Sequence, residues 1–247
     1  MKASAVVFRL RMVIVAVIVI LGFWAPWIQL WGIGSRIPLL EWLALELSRT
    51  GLVSFTVATP FVIVCGALIA ALGAVLRIWG SAWLGHDVVL SGQMQSGSLM
   101  ADGPYRYMRN PLYLGLVCML AALALLMPAT GALLVSIAAP LFLFYLILGE
   151  ESFLATRIGE PFRAYLHSVP RWLPRLRTTL TPTGQKPHWI QPVQSELNPI
   201  GVFITIAFLS WSYDIRLMAK AIIVTFGISL IVRAFLPGIR QEPNLPE

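Results

Sequence analysis

The chemically capable residues of this chain stand at the edge of an apolar run. Residues 103–115 read GPYRYMRNPLYLG and lead directly into LYLGLVCMLAALALLMP. Glu150 and Glu151 follow another apolar stretch, which ends at residue 149. Charged groups beside hydrocarbon are costly, so they raise a functional-site hypothesis by default. Their chemistry is ion pairing, because a carboxylate binds an ammonium and an arginine binds a carboxylate or phosphate.

Some of these polar residues can also be explained by a structural role at the membrane surface. Arg106 and Tyr107 are typical membrane-interface anchors, and so are Arg171 and Arg175. The glutamate pair fits that role poorly, since adjacent carboxylates repel and gain nothing from anionic lipid. We therefore assign a functional role to Glu150.

The elements that carry these residues must bring them together. The apolar stretches 112–128 and 130–149 are separated only by a proline-containing turn, which predicts a tight helical hairpin. Both polar clusters then lie at the same end of that hairpin, and Glu150 and Glu151 should approach Arg106, Arg109 and Asn110. Pro111 suits the first turn of a helix, and the residue before a proline avoids helical geometry. Asn110 should therefore turn its side chain or its backbone groups into the loop rather than into the helix.

Composition places these elements in a membrane. Hydrophobic residues make up 58% of the 247 residues and charged residues 12%, whereas a soluble domain is about 25% charged. The formal net charge of +7 indicates loops facing anionic lipid, and no basic run or motif favours nucleic acid. Cys65 and Cys118 lie inside apolar runs and are expected to act as small buried hydrophobes.

These features predict an all-α, polytopic helical membrane protein with six transmembrane helices. The expected spans are 12–31, 52–78, 112–128, 130–149, 199–214 and 217–236. The first continues past the length of a signal peptide and ends in Trp24, Trp27 and Trp31, which favours a retained span. The outer loop 32–51 is expected to contain a short interfacial helix.

Orientation follows from the basic residues. With a cytoplasmic N-terminus, fourteen Lys and Arg residues face the cytoplasm and four face outside. Both termini and the loops 79–110 and 150–198 are then cytoplasmic, in what we expect to be a bacterial inner membrane.

The chain is expected to divide into four parts. A first span and outer loop (1–51) precede a core (52–177) that carries both polar clusters. A linker rich in Pro, Thr and Gln (178–198) then leads to a C-terminal helical hairpin and tail (199–247).

Over roughly residues 60–177 the sequence resembles the isoprenylcysteine carboxyl methyltransferase and phospholipid methyltransferase superfamily, whose members are integral membrane enzymes. That family is marked by a G-x-Y-x-x-x-R-H-P-x-Y-x-G segment, a later pair of glutamates, a G-x-x-[FY]-x-x-Y segment and a basic, proline-containing stretch. The stretches of this chain that carry the resemblance are LRIWGSAWLG, GPYRYMRNPLYLG and GEESFLATRIGEPFRAYLHSVPRWLPRL. The matching positions are Tyr105, Arg109, Pro111, Tyr113, Gly115, Glu150, Glu151, Gly159, Phe162, Tyr165, Val169 and Pro174.

The resemblance implies S-adenosyl-L-methionine as cofactor, and a lipid-like or amphipathic acceptor, a carboxylate or an amine, at the cytoplasmic face. It implies catalytic roles for Arg109, which would pair a carboxylate of cofactor or substrate, and for Glu151, which is a candidate, as is an arginine-bound water, for receiving a proton from an amine. Glu150 would pair the cofactor ammonium. The implied cofactor-binding set is Gly97, Ser98, Leu99, Met100, Tyr105, Asn110, Pro111, Leu112, Tyr113 and Glu150. No metal is implied, and the oligomeric state stays open.

Two departures from the family pattern limit what carries over. Asn110 replaces the family histidine and cannot titrate, so a mechanism with a base at that position is doubtful. Leu146 stands where the prenylcysteine enzymes have an arginine for the substrate carboxylate, which weakens the case for that substrate.

A membrane reductase of the sterol-reductase type, using NADPH, is the alternative. Sterol reductases have a similar helical core with an R-H-P-x-Y-like motif, and the tyrosine of that motif tends to be followed by an aromatic residue and then Gly-Glu. Here Leu114 and Gly115 follow Tyr113, and the paired glutamates are present. This pattern favours methyl transfer.

Overall fold

The structure is a computed structural model that describes residues 5–84, 102–177, 180, 186–189, 193, 195–212 and 214–235. Throughout these ranges the regular secondary structure is helical, apart from one isolated bridge between Pro38 and Pro128. The predicted all-α fold class is confirmed for this part of the chain.

The predicted first span is broken into consecutive helices. They are α1 (Ala5–Arg9), α2 (Arg11–Trp24) and α3 (Pro26–Trp31). The break falls at Ala25, which has a left-handed backbone with φ of 42°, and Pro26 then begins α3. Proline lacks the N–H that a continuous helix would need there, so an apolar run of sufficient length does not give one straight helix.

The loop predicted to lie outside the membrane contains the expected short helix, α4 (Leu39–Arg49). Leu40 and Ala44 are buried on its inner face and pack in a cluster with Ile63 of the following helix. An amphipathic pattern thus supports a helix that lies against the core.

Three helices form the centre of the molecule: α5 (Phe55–Leu84), α6 (Pro111–Ala124) and α7 (Ala129–Ile158). The short turn between α6 and α7 confirms the predicted hairpin. Gly73 and Gly115 let α5 and α6 pack backbone to backbone, since a Cβ on Gly73 would lie 2.9 Å from the Gly115 oxygen. Close approach at small residues is the usual way in which helices pack in a membrane.

Two described helical segments, Phe55–Trp83 and Ala129–Ile158, are long and apolar enough to cross a membrane. Arg11–Trp24, Pro111–Ala124 and Leu197–Ser212 are apolar but shorter. A helix of 14 residues such as Pro111–Ala124 rises about 21 Å, less than the roughly 30 Å of a hydrocarbon core. The six-span arrangement and its orientation therefore stay predictions.

Short elements complete the polar end of the core. A 3₁₀ turn (Gly103–Arg106) precedes α6, and α8 (Glu160–Ser168) follows α7. Gly159 separates α7 from α8 with φ of 79°, a backbone geometry that suits glycine.

The C-terminal part packs on the core. Helix α9 (Leu197–Ile204) continues through a π turn (Thr205–Leu209) and a 3₁₀ turn (Ser210–Ser212), and α10 (Ile215–Phe235) follows. Val202, Ile206 and Met218 are buried in the same apolar cluster as the residues of α6 and α7. The predicted hairpin is thus part of the hydrophobic core.

Candidate active site

Glu151 is the centre of an ion-pair network at the end of α7. Its Oε1 lies 3.0 Å from Nη1 of Arg109, and its Oε2 accepts a 2.7 Å hydrogen bond from Nη2 of Arg171. The Nε of Arg171 also donates to Oε1 at 3.1 Å. Glu151 is buried, and a buried carboxylate requires such charge-assisted partners. The predicted approach of the glutamate pair to Arg109 is therefore confirmed for Glu151.

The loops that carry this network are joined through their backbones. The Arg109 amide donates to the Pro170 carbonyl at 2.9 Å, and the Arg175 amide donates to the Tyr107 carbonyl at 3.0 Å. Asn110 has a non-helical backbone, and its Nδ2 donates to the Arg171 carbonyl at 3.2 Å. The prediction that Asn110 turns away from the helix is confirmed for its side chain, whereas its carbonyl accepts a hydrogen bond from the Leu114 amide of α6.

Two buried tyrosines hold the loop that precedes α6 in place. The Tyr165 hydroxyl of α8 donates to the Tyr105 carbonyl at 2.8 Å, and the Tyr105 hydroxyl donates to the Gly80 carbonyl at 3.4 Å. Burial is the main reason that the pKa of each phenol lies above its ordinary value. Both tyrosines are therefore neutral hydrogen-bond donors at physiological pH.

Glu150 has a different environment from its neighbour. The Tyr113 hydroxyl of α6 donates to its Oε2 at 3.1 Å. Glu150 and Glu151 therefore have separate partners, with Tyr113 on the first carboxylate and two arginines on the second. Adjacent carboxylates with different partners are suited to different tasks.

Arg109 is held in a poorly hydrated position. Its side chain is 12% exposed, and burial lowers the pKa of the guanidinium while Glu151 raises it. Within the described part of the chain, its buried Nε has no hydrogen-bond partner. A buried donor without a partner is unusual and marks a place where a ligand atom could bind.

Trp83 carries a second buried donor of this kind. Its indole Nε1 lacks a partner among the residues that the structure describes. Gly103 packs against this ring with φ of 54°, and a Cβ there would lie 2.3 Å from Nε1. Glycine is thus required for the loop to approach the indole.

The structure gathers most of the predicted site residues in one region. Tyr105, Arg109 and Asn110 lie on the loop before α6, and Pro111 is the first residue of that helix, followed by Leu112 and Tyr113. Glu150 and Glu151 face them from α7. Gly97, Ser98, Leu99 and Met100 lie outside the described residues.

Several residues near the site were not predicted to belong to it. Arg171 was expected to be an interface anchor, but it holds Glu151, and its guanidinium lies 5.4 Å from the centre of the Phe144 ring. Arg106 donates to the Leu180 carbonyl. Arg77, Ser81 and Glu196 form a further buried network behind α6. Two adjacent carboxylates need several partners, and the basic stretch after α8 that contains Arg171 is the signal that could have identified it.

Comparison with known proteins gives one family match. Residues 61–160 match the family model described as phospholipid methyltransferase. This range contains α6, the loop before it and the glutamate pair of α7. Neither a curated protein nor a solved structure matches the chain significantly. The resemblance seen in the motifs is therefore confirmed over residues 61–160, the segment of this chain that matches the phospholipid methyltransferase family.

Proposed function

We propose that this protein is an integral membrane methyltransferase. It moves a methyl group from S-adenosyl-L-methionine to a lipid-like or amphipathic acceptor at the cytoplasmic membrane face. The observation that carries the proposal is that one polar site, within the segment that matches the methyltransferase family, holds both a carboxylate and a guanidinium: Glu150, which accepts a hydrogen bond from Tyr113, and Arg109, which is paired with Glu151.

The residues present fit this cofactor. It contains an ammonium, a carboxylate and a sulfonium. Glu150 offers a carboxylate oriented by Tyr113, which suits the ammonium. Arg109 keeps its Nε without a partner in the described ranges, which suits a carboxylate of the cofactor or the substrate. Gly97 to Met100, with Tyr105 and Asn110 to Tyr113, complete the proposed binding set.

When bound, the cofactor supplies an already activated methyl group. The task of this chain is then to hold the two reactants in line and to exclude water, which can lower a barrier by roughly 7–11 kcal/mol. Tyr105 and Tyr165 fix the loop that carries Arg109. The backbone hydrogen bond from Arg109 to Pro170 joins that loop to the segment that follows α8.

The geometry favours a positioning role for Glu151. It already accepts hydrogen bonds from Arg171 and is paired with Arg109. Both carboxylate oxygens are thus already engaged by guanidinium groups, which favours a role in holding Arg109 in place. A carboxylate acceptor needs no base at neutral pH, whereas an amine acceptor would have to lose one proton.

The first test concerns the cofactor. We expect the purified protein in detergent to bind S-adenosyl-L-methionine with a Kd in the micromolar range or weaker, on the order of −8 kcal/mol or less in magnitude. Isothermal titration calorimetry measures this directly, with NADPH as the comparison ligand. Saturable binding of NADPH without binding of the adenosyl cofactor would replace the proposal by a reductase of the sterol-reductase type.

A second test concerns the side of the membrane on which the site lies. Cysteine introduced at His167, in the polar region beside the site, should resist a membrane-impermeant thiol reagent in intact cells. Cysteine introduced at Ser35, between α3 and α4, should react. Both positions are exposed in the fold, so differential labelling would report the membrane and not local burial. Labelling at position 167 from outside would reverse the orientation derived from the basic residues.

A further inference from the structure

A buried charge network joins the C-terminal part of the chain to the candidate site. The Nε of Arg77, on α5, donates to Glu196 at 2.5 Å, and its Nη2 donates to the other carboxylate oxygen at 3.0 Å. Ser81, one turn further along α5, donates to the same carboxylate at 2.7 Å. Glu196 is fully buried, and it immediately precedes α9.

The same arginine reaches the start of α6. The Nη1 of Arg77 donates to the Leu112 carbonyl at 3.3 Å, and the aliphatic part of Arg77 packs against Gly115. Leu112 lies between Pro111 and Tyr113, which are both in the proposed binding set. One guanidinium thus contacts Glu196 on one side and the first turn of α6 on the other.

Gly80 adds a second connection between α5 and the site. It packs against Leu112 and Pro111, and its carbonyl accepts the hydrogen bond of the buried Tyr105 hydroxyl. Glu196 therefore binds the same part of α5, from Arg77 to Ser81, that packs against the start of α6 and accepts the hydrogen bond of Tyr105.

We infer that Glu196, which lies outside the family-matched residues 61–160, is a positioning residue for the site and acts through Arg77. It orients the guanidinium that fixes the first turn of α6, and hence the Tyr113 hydroxyl against Glu150. The C-terminal part is then required to shape the binding site as well as to fill the core. The binding tests of this inference rest on the proposed function, because their ligand is the proposed cofactor. The proposed effect of Glu196 on the start of α6 does not depend on the cofactor.

The first test compares Glu196→Gln with Glu46→Gln. Glu46 pairs with Arg49 at 2.7 Å in an exposed ion pair that is also outside the matched segment, so it serves as a matched control. We expect Glu196→Gln to weaken binding of S-adenosyl-L-methionine by about tenfold, a typical size for coupling between sites. Glu46→Gln should leave binding unchanged. Unchanged binding in Glu196→Gln, with the protein folded, would overturn the inference.

A double variant separates positioning from stability. Replacing a buried ion pair by apolar residues of similar volume often preserves or raises stability. Arg77→Met/Glu196→Leu should therefore keep the melting temperature of the parent, yet still bind the cofactor about tenfold more weakly. If the double variant matched the parent in both melting temperature and cofactor affinity, the network would only stabilise the fold, and the inference would be overturned.

Hydrogen exchange of the ligand-free protein tests the same point without any cofactor. In Glu196→Gln and in the double variant, amides of residues 113–117 should exchange faster than in the parent, while those of α4 stay unchanged. Unaltered exchange at the start of α6 would overturn the inference. If the parent failed to bind the adenosyl cofactor, the proposed function would fail, and exchange alone would decide the role of Glu196.

Discussion

Glu150→Gln is expected to nearly abolish cofactor binding while the protein stays folded. Glutamine has almost the same shape and can still accept the hydrogen bond from Tyr113, which is 3.1 Å long in the parent. The charge, however, is gone, and the cofactor ammonium would be left without a partner in a poorly hydrated site. Removing one partner of a buried charged pair costs roughly 2–5 kcal/mol. Affinity should therefore fall by about 30-fold to several thousand-fold.

Asn110→His is the matched control for this prediction. It introduces the residue that the resembled family has at this position, and a histidine nitrogen can still donate to the Arg171 carbonyl that Asn110 now contacts at 3.2 Å. Affinity should stay within about tenfold of the parent, a difference of about 1.4 kcal/mol. Calorimetric titration of both variants measures the contrast. Normal binding by Glu150→Gln would show that this carboxylate does not hold the cofactor.

The helical core could be predicted because long apolar runs and proline positions are local signals. Pro111 begins α6, and the turn at Pro128 separates α6 from α7, as the sequence indicated. The break at Ala25 could not be predicted with the same certainty. Pro26 lies in a run that hydropathy alone treats as continuous, and hydropathy carries no information on the left-handed backbone of Ala25.

The site could be predicted where its residues are close in sequence or belong to one hairpin. The contact between Arg109 and Glu151 follows from the antiparallel course of α6 and α7. The contact between Arg77 and Glu196 spans 119 positions and depends on how the C-terminal part docks on α5. Segment 178–198 reads as a linker because its composition is polar, and composition alone does not show that one glutamate in it is fully buried.

Glu151→Gln should reduce methyl transfer by roughly 100-fold to several thousand-fold, because it removes the carboxylate that lies between two guanidinium groups. In the parent, Glu151 contacts Arg109 at 3.0 Å and Arg171 at 2.7 Å. Breaking a buried pair by removing one partner costs about 3–5 kcal/mol, since the remaining charges are left uncompensated. The two arginines would separate, and Arg109 would lose the orientation proposed for carboxylate binding. Incorporation of labelled methyl groups into the lipids of membranes that contain each variant measures the effect.

The pH dependence of the residual activity distinguishes positioning from base catalysis. If Glu151 positions Arg109, the variant should be slower at every pH, with a profile of the same shape, because the titrating groups of the reaction are unchanged. If Glu151 instead accepts the proton of an amine, the acidic limb of the parent's pH profile arises from this proton acceptor. The variant would then lose this acidic limb.

Glu160→Gln, which alters an exposed glutamate 3.7 Å from Arg163, should change neither the rate nor the profile and controls for the loss of one acidic charge. Loss of the acidic limb in Glu151→Gln alone, with cofactor affinity unchanged, would contradict the positioning role and assign Glu151 as the base.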